Sequence, residues 1–391
     1  MDTKIYFDNA ASTKPDERVF EAMLPYLKES YGNPSGKYSL GFEARKAVNA
    51  ARNSAASFLS SEADEIYFTS GGTEGNNTVI LGFTGPSHPG MNMIISSSIE
   101  HDSVLRPLEE LSRNGIGVKL IDPDENGIIK PKALEDFLEK NSYRRNGHEE
   151  GTIRGLVSVM LVNNETGTIQ PVKELADIAH SYGFLFHTDA VQAAGHMKIN
   201  VKELNADFLS VSGHKLYGPK GVGILYVKRG IPIKPYIFGG GQERGLRSGT
   251  ENVFGIVGLG KACEIATDEL ESSVRTEKEI GRYLKERLTG GICRASQNGT
   301  GEWILNLFFD RVNATSLALR LDMEGIGIST GSACSVGLDK SSHVLAAMGL
   351  SKRKAESSVR ISIGKYNTMK EAECLADSIE RLTEELRSFY I

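Results

Sequence analysis

Lys215 stands between Ser212-Gly213-His214 and the turn Gly218-Pro219-Lys220-Gly221, at the end of the apolar run 207–213 and ahead of another, 222–228. A lysine that is buried or close to other cations has a lowered pKa, and its lone pair is then available for Schiff-base chemistry. Asp189 and Asn164 also follow directly on apolar runs, and Gln192 lies three residues beyond Asp189. A buried acid is costly unless paired. In a cleft shared with the lysine, Asp189 could keep a pyridinium nitrogen protonated; the plain alternative is a helix N-cap. Gly71-Gly72-Thr73 closes the run EIYFTS (65–70) and opens a helix, where free N–H groups and small residues suit a phosphate. The stretch lacks the Gly-Lys-Ser/Thr of a nucleotide P-loop, which argues against ATP or GTP; alone it reads equally well as a glycine turn with a threonine cap. His101 follows the run 91–100, and Ser212 and His214 could join the Gly-Gly-Thr turn around a phosphate. Each piece is ambiguous by itself. Together they are the parts of a pyridoxal-phosphate site.

Such a constellation needs elements that bring distant residues to one edge. The β-rich runs 65–70, 91–100, 117–122, 155–162, 184–190, 207–213 and 222–228 alternate with helical stretches. In one of these, 172–182, Val172, Leu175, Ala176 and Ala179 share a face. Alternation of this kind predicts a mostly parallel sheet covered on both sides, with ligands bound beyond the carboxyl ends of the strands. From about residue 256 the pattern changes to a long charged helical stretch to about 290, the runs 303–309 and 357–364, a Gly/Ser-rich segment 325–342 and an amphipathic last helix. We read this as a smaller α+β domain. The polar segment 140–154 reads as a solvated surface loop.

The chain has 391 residues, more than one compact core usually holds. Its net charge of −5 argues against a nucleic-acid footprint. The four cysteines, Cys263, Cys293, Cys334 and Cys374, form no CxxC pair, so neither a zinc ribbon nor a redox dithiol is expected and no metal site is predicted. Sparse cysteines, an N-terminus without a signal-peptide core and no apolar run of membrane length predict a cytoplasmic protein with no membrane contact.

The order of these motifs resembles the cysteine desulfurases (NifS/IscS-like) of the class V aminotransferase family, fold type I of the pyridoxal-phosphate enzymes. The resemblance runs from YFDNAAST (6–13) through YGNPSG (31–36), FTSGGTE (68–74), EHDSVL (100–105), VNNETG (162–167), HTDAVQ (187–192), SGHKLYGPKG (212–221), RSGTEN (247–252) and GSACS (331–335) to SSVRISIGKYNT (357–368). It implies an α/β fold: a pyridoxal 5'-phosphate-binding large domain over 14–255, and a small domain from 1–13 and 256–391 that carries the catalytic-cysteine loop. It also implies roles. Lys215 would bind the cofactor covalently and move protons; His101 would stack on the ring and assist; Asp189 would pair with the ring nitrogen; Gln192 and Asn164 would contact the ring hydroxyl or its surroundings. Gly72, Thr73, Ser212 and His214 would hold the phosphate, and Thr250 would reach the phosphate of the other subunit of a homodimer. Arg360, with Asn164, would bind the substrate carboxylate.

Cys334 sets the reaction type in this reading. A single cysteine is usually a small buried hydrophobe, but TGSACSVG offers it no core to pack into. Its thiolate would take sulfur from L-cysteine, releasing L-alanine and keeping a persulfide for an acceptor protein of iron–sulfur cluster assembly or tRNA thiolation. The segment 327–345 looks like the long form of the family's cysteine loop. The segment 140–154 is longer than the family leads one to expect, and the sequence stops at Ile391, soon after the last helix, where relatives that dock a cluster scaffold often carry a further tail. The competing readings are a selenocysteine lyase, a transaminase on the same fold, or a scaffold that has kept the fold without catalysis. The presence of both Lys215 and Cys334 argues against the last two.

Overall fold

A computed structural model describes residues 5–82, 93–141, 154–330 and 342–388. Twelve strands are present among them: β1 (Ile5–Tyr6), β2 (Ile66–Thr69), β3 (Met93–Ser97), β4 (Gly117–Ile121), β5 (Gly155–Ser158), β6 (Phe184–Asp189), β7 (Phe208–Ser212), β8 (Gly223–Val227), β9 (Ser296–Asn298), β10 (Ile304–Phe308), β11 (Ile326–Gly327) and β12 (Ser358–Ser362). Seven form one sheet in the order β2-β8-β7-β6-β5-β3-β4. Neighbours from β7 to β4 are parallel, and β8 alone runs against both of its neighbours. Every residue of β5, β7 and β8 is buried, which is why these strands read in the sequence as unbroken apolar runs rather than as alternating ones.

Helices cover the sheet because each crossover between parallel strands must return over a face. Helix Val172–Ser181 buries the face expected from its spacing, Val172, Leu175, Ala176 and Ala179. Helix Asp102–Arg113 starts at His101, whose ring accepts from the Ser103 backbone N–H as an N-cap.

A second core surrounds the antiparallel sheet β12-β10-β9, packed by the helices Leu270–Gly290, Ala314–Met323 and Met369–Ser388. Phe7 belongs to this core, and β1 pairs with β11, so the first residues described lie with the smaller unit. Beyond Phe7 the strand crosses towards the large sheet: Thr13 N–H donates to the His214 carbonyl at 2.9 Å.

The expected division at 255/256 falls inside the helix Val253–Asp268. The apolar face of this helix, including Ile256, Leu259, Ala262 and Cys263, lies in the same core as helix Ser39–Leu59 and the large sheet. The single charged stretch expected to about 290 is in fact two helices, and the second, Leu270–Gly290, is the one that packs in the smaller core. The change in composition was read as a change of unit, yet an apolar helix such as Val253–Asp268 can serve either core; contacts decide which. We therefore propose that the division falls after Asp268. At the junction His196 lies 2.8 Å from Glu277 and stacks on Trp303.

Candidate active site

Five strand ends converge on one edge of the large sheet. β2 leads through Ser70-Gly71 into the helix Gly72–Gly82, β3 through Glu100 into His101, and β5 into the loop carrying Met160, Val162 and Asn164. β6 ends at Asp189, and β7 passes from Ser212 into a single 3₁₀ turn, Gly213–Lys215. A cavity of about 240 Å³ lies between these ends. Lys215, Asp189, His101, Asn164 and Gln192 line it, and so do Gly72, Thr73, Ser212 and His214. A parallel sheet aligns its carboxyl ends, so residues that are far apart in the chain meet there.

The Lys215 amine donates to two consecutive backbone carbonyls, of Ala10 and, at 2.7 Å, of Ala11. Gln192 Nε2 also donates to the Ala10 carbonyl, at 2.8 Å. The N-terminal crossover thus closes the cavity over the lysine. No sequence motif marks these contacts, because a carbonyl acceptor is common to every residue. His214 lies beside Lys215; burial first, and then the charges of Lys215 and Lys220, hold its imidazole down at about 4. It is therefore neutral at pH 7.

Asp189 is 6% exposed. Its carboxylate accepts from Asn76 Nδ2 at 2.6 Å and from the Val191 backbone N–H at 2.9 Å. No salt bridge among the described residues reaches it, although a buried carboxylate gains most from a charged partner. This is the observation that tests the fit of pyridoxal phosphate. The acid faces a cavity, is held by neutral donors only, and shares that cavity with a primary amine and a helix start. The start is shaped to let an anion approach. A Cβ built on Gly72 would lie 2.6 Å from Val191 Cγ2, so only glycine lets the helix begin this close to the β6 loop. The first N–H groups of a helix have no intrahelical partner. A ring nitrogen, an aldehyde and a phosphate each have a matching group here.

Asn76 and Ser103 were not anticipated. Asn76 Nδ2 donates to Asp189 and also, at 2.8 Å, to Ser103 Oγ. The Ser103 hydroxyl is 2.8 Å from His101 Nδ1, which also accepts from the Ser103 backbone N–H at 3.1 Å. Asn76 sits on the buried face of the helix Gly72–Gly82, and its place in FTSGGTEGNN gave no reason to prefer it to Asn77. Glu100 was missed too. It is wholly buried, and burial pushes its carboxyl up to about 8 against the opposing pull of Ser97 and the Met160 N–H. It is therefore predominantly protonated at neutral pH.

Three expected residues lie apart from this constellation. Arg360 is 1% exposed and does not line the cavity. It donates to Asp8 Oδ1 at 2.7 Å and to the Asn164 carbonyl at 3.0 Å. Among the described residues its guanidinium reaches the site through these two, because β12 belongs to the small sheet and packs under the N-terminal crossover. Thr250 is exposed and is not a lining residue. Cys334 lies outside the described residues, as do residues 142–153 of the polar segment. Of the cysteines expected to be structural, Cys263 and Cys293 are buried and burial raises both thiols, whereas Cys374 is exposed on the last helix. Among the described residues no group of acidic, histidine and cysteine side chains is arranged to hold a metal, and no helix is long and apolar enough to cross a membrane.

The family model for aminotransferase class V matches residues 5–375. The chain is 41% identical over 392 residues to the cysteine desulfurase IscS of Dictyoglomus turgidum, covering 99% of this chain and 96% of the relative. It is 43% identical over 391 residues to the IscS of Methanosarcina thermophila, covering 98% and 93%. Among solved structures, a NifS-like protein superimposes with a TM-score of 0.88 at 36% identity, covering 98% of this chain and all of that one. A second, described as SspA in complex with cysteine, gives 0.78 at 34% identity over 94% of this chain. The chain belongs to the class V aminotransferase family. Within that family its place is among the cysteine desulfurases, which are pyridoxal 5'-phosphate-dependent enzymes.

Proposed function

We propose that the protein removes sulfur from L-cysteine, releasing L-alanine and holding the sulfur as a persulfide on Cys334. The observation that carries this reading is the cavity in which the Lys215 amine, the Asp189 carboxylate held by Asn76 and the Val191 N–H, and the glycine-start helix at Gly72-Thr73 meet. Lys215 would hold pyridoxal phosphate covalently, Asp189 would face its ring nitrogen and His101 its ring, while Gly72, Thr73, Ser212 and His214 would hold its phosphate. When bound, the cofactor supplies a sink for electrons released at the substrate's α-carbon.

The protein's own groups do the rest. The Lys215 amine would be the base placed to move the substrate's α-proton. His214 is neutral at pH 7 and can donate one ring N–H to an anion without adding a charge. Arg360 and Asn164 bind the substrate carboxylate, with the guanidinium exchanging Asp8 for substrate, since a bidentate fork suits a carboxylate. The Cys334 thiolate attacks the substrate sulfur. The S–S bond forms as the carbon–sulfur bond breaks, the bonding pair stays with carbon, and carbon takes up a proton to give the methyl group of alanine. The thiolate is the reactive form.

The persulfide then passes to an acceptor protein of iron–sulfur cluster assembly or tRNA thiolation. Two chains form the functional unit, with the exposed Thr250 of one reaching the cofactor phosphate of the other.

The decisive assay incubates the chain with pyridoxal phosphate and L-cysteine and follows alanine, sulfide released by a thiol reductant, and the mass of the peptide bearing Cys334. Equal amounts of alanine and sulfide, and a gain of one sulfur on that peptide, are expected. Cys334→Ala retains cofactor and loses sulfide formation. Desulfuration that survives this substitution, strong preference for L-selenocysteine, or formation of a 2-oxo acid overturns the reading in favour of a lyase or a transaminase.

A further inference from the structure

We infer that Asn76 and Ser103 are positioning residues that tie His101 to Asp189 and hold in one orientation an imidazole whose Nε2–H tautomer the Ser103 backbone N–H sets. The inference rests on the reading above for its catalytic meaning, though not for its geometry.

The direction of each hydrogen bond follows from what the groups can do. The Ser103 backbone N–H can only donate, so His101 Nδ1, 3.1 Å away, carries no proton. The Ser103 hydroxyl, 2.8 Å from the same nitrogen, must then donate as well. Its oxygen is left to accept, and Asn76 Nδ2 donates to it at 2.8 Å. The second hydrogen of the same amide goes to Asp189 Oδ2 at 2.6 Å. A carboxylate only accepts, so the amide cannot turn its oxygen towards Asp189. Asn76 Oδ1 is buried and has no hydrogen-bond partner. That orphan is the signature of a side chain held in place by its nitrogen, because a free amide would turn to satisfy the oxygen. All four groups lie on elements that begin at the cavity: the helix Gly72–Gly82, the end of β6, and His101 with the helix it caps.

One amide therefore sets two groups at once. It orients the carboxylate that would face the ring nitrogen, and through the Ser103 hydroxyl it holds the imidazole whose tautomer the Ser103 backbone N–H sets. His101 presents a donor at Nε2 and has no acceptor left at Nδ1. A base or a proton carrier works only in the right tautomer.

The test uses the full-length chain labelled with ¹⁵N-histidine. Long-range ¹H–¹⁵N correlations, recorded with and without pyridoxal phosphate, report the tautomer of His101, assigned by its loss in His101→Gln. Wild type shows Nε2–H alone. Ser103→Ala and Asn76→Ala keep that tautomer, because the backbone N–H of residue 103 still donates to Nδ1, but each shifts and broadens the His101 ring signals as the ring loses its hold, and their effects do not add in the double variant, as expected of groups acting in series. In steady state each single variant lowers kcat by at least about 10-fold, part of the contribution of a placed acid or base, with KM for cysteine little changed. Ser103→Thr keeps a hydroxyl and restores the wild-type ring signals, which separates positioning from loss of folding. A wild-type His101 protonated at Nδ1, or single variants whose His101 signals match wild type, overturns the inference. Borohydride trapping of the cofactor on Lys215 is run alongside. Failure of the trapping alone refutes the reading of the cavity, while the spectra of the cofactor-free chain still decide the relay.

Discussion

Arg360 and Asp8 form an ion pair at 2.7 Å in which the arginine is almost wholly buried and the aspartate is 18% exposed. The pair joins the small sheet to the N-terminal crossover, and that crossover supplies the carbonyls on Lys215. If Arg360 is the carboxylate receptor, it is kept oriented by an internal stand-in for the substrate until cysteine arrives. Arg360→Lys keeps a charge but loses the fork. Loss of one charge-assisted bond is worth about 1.5–3 kcal/mol, so KM for cysteine is expected to rise about 10- to 100-fold while the cofactor is retained. Steady-state kinetics and the visible spectrum together check this; an unchanged KM would exclude Arg360 from substrate binding.

Lys215 is the group whose removal separates binding from chemistry. In Lys215→Ala the residues proposed to hold the phosphate and ring are untouched, so pyridoxal phosphate is expected to bind still but to dialyse away. Turnover is expected to fall by about 10³-fold, the scale of a lost acid–base and covalent group. Borohydride reduction followed by peptide mapping should label position 215 in wild type and nothing in the variant.

Gly72→Ala places a methyl where the Val191 side chain already stands, 2.6 Å away. Valine is stiff at χ1 and cannot simply turn aside. The helix start is expected to move off the β6 loop, and affinity for pyridoxal phosphate to drop by about 10-fold, or ~1.4 kcal/mol. Titration of the cofactor by fluorescence measures it. Gly71, whose added Cβ would come no nearer than 3.6 Å to Ser212 Oγ, would be limited instead by its positive φ.

Glu100 gives a pH signature. Its carboxyl is raised from 4.5 to about 8 in the folded state, chiefly by burial. The folded protein thus holds a proton that the unfolded chain releases between these values. The stabilising contribution is full below 4.5 and is lost as pH rises through about 8. Glu100→Gln keeps an acceptor for the Met160 N–H and for the Ser97 hydroxyl, and does not ionise. Its thermal midpoint should match wild type near pH 5 and exceed it by about 2 °C at pH 9. Melts across that range, each with the cofactor removed, would show equal slopes if Glu100 were ionised throughout.

The strand runs that end at Ser70, Glu100, Asp189 and Ser212 were legible because each is an apolar segment closed by a chemically unusual residue. From Val172 to Ala179 the spacing alone gave the buried face of a helix. The alternation of strands and helices also told where the ligand edge must be, because a parallel sheet has only one carboxyl side. In this way Lys215, Asp189, His101 and the Gly72-Thr73 turn could be named together before any distance was known. Arg360 and Thr250 came only with the family resemblance, and neither residue lines the cavity.

Tertiary structure decided what no local pattern encodes. It made backbone carbonyls of Ala10 and Ala11 into partners of an amine some 200 residues away, and it chose Asn76 over Asn77 as the amide that reaches Asp189. It assigned the helix Val253–Asp268 to the large core, although its sequence suits either unit. The physical reason is the same in each case. Residue type and periodicity report a side chain's preference for water or for a core, and which strand end it closes. Hydrogen-bond partners depend on which elements the sheet order makes neighbours, and that order is fixed only when the whole chain packs.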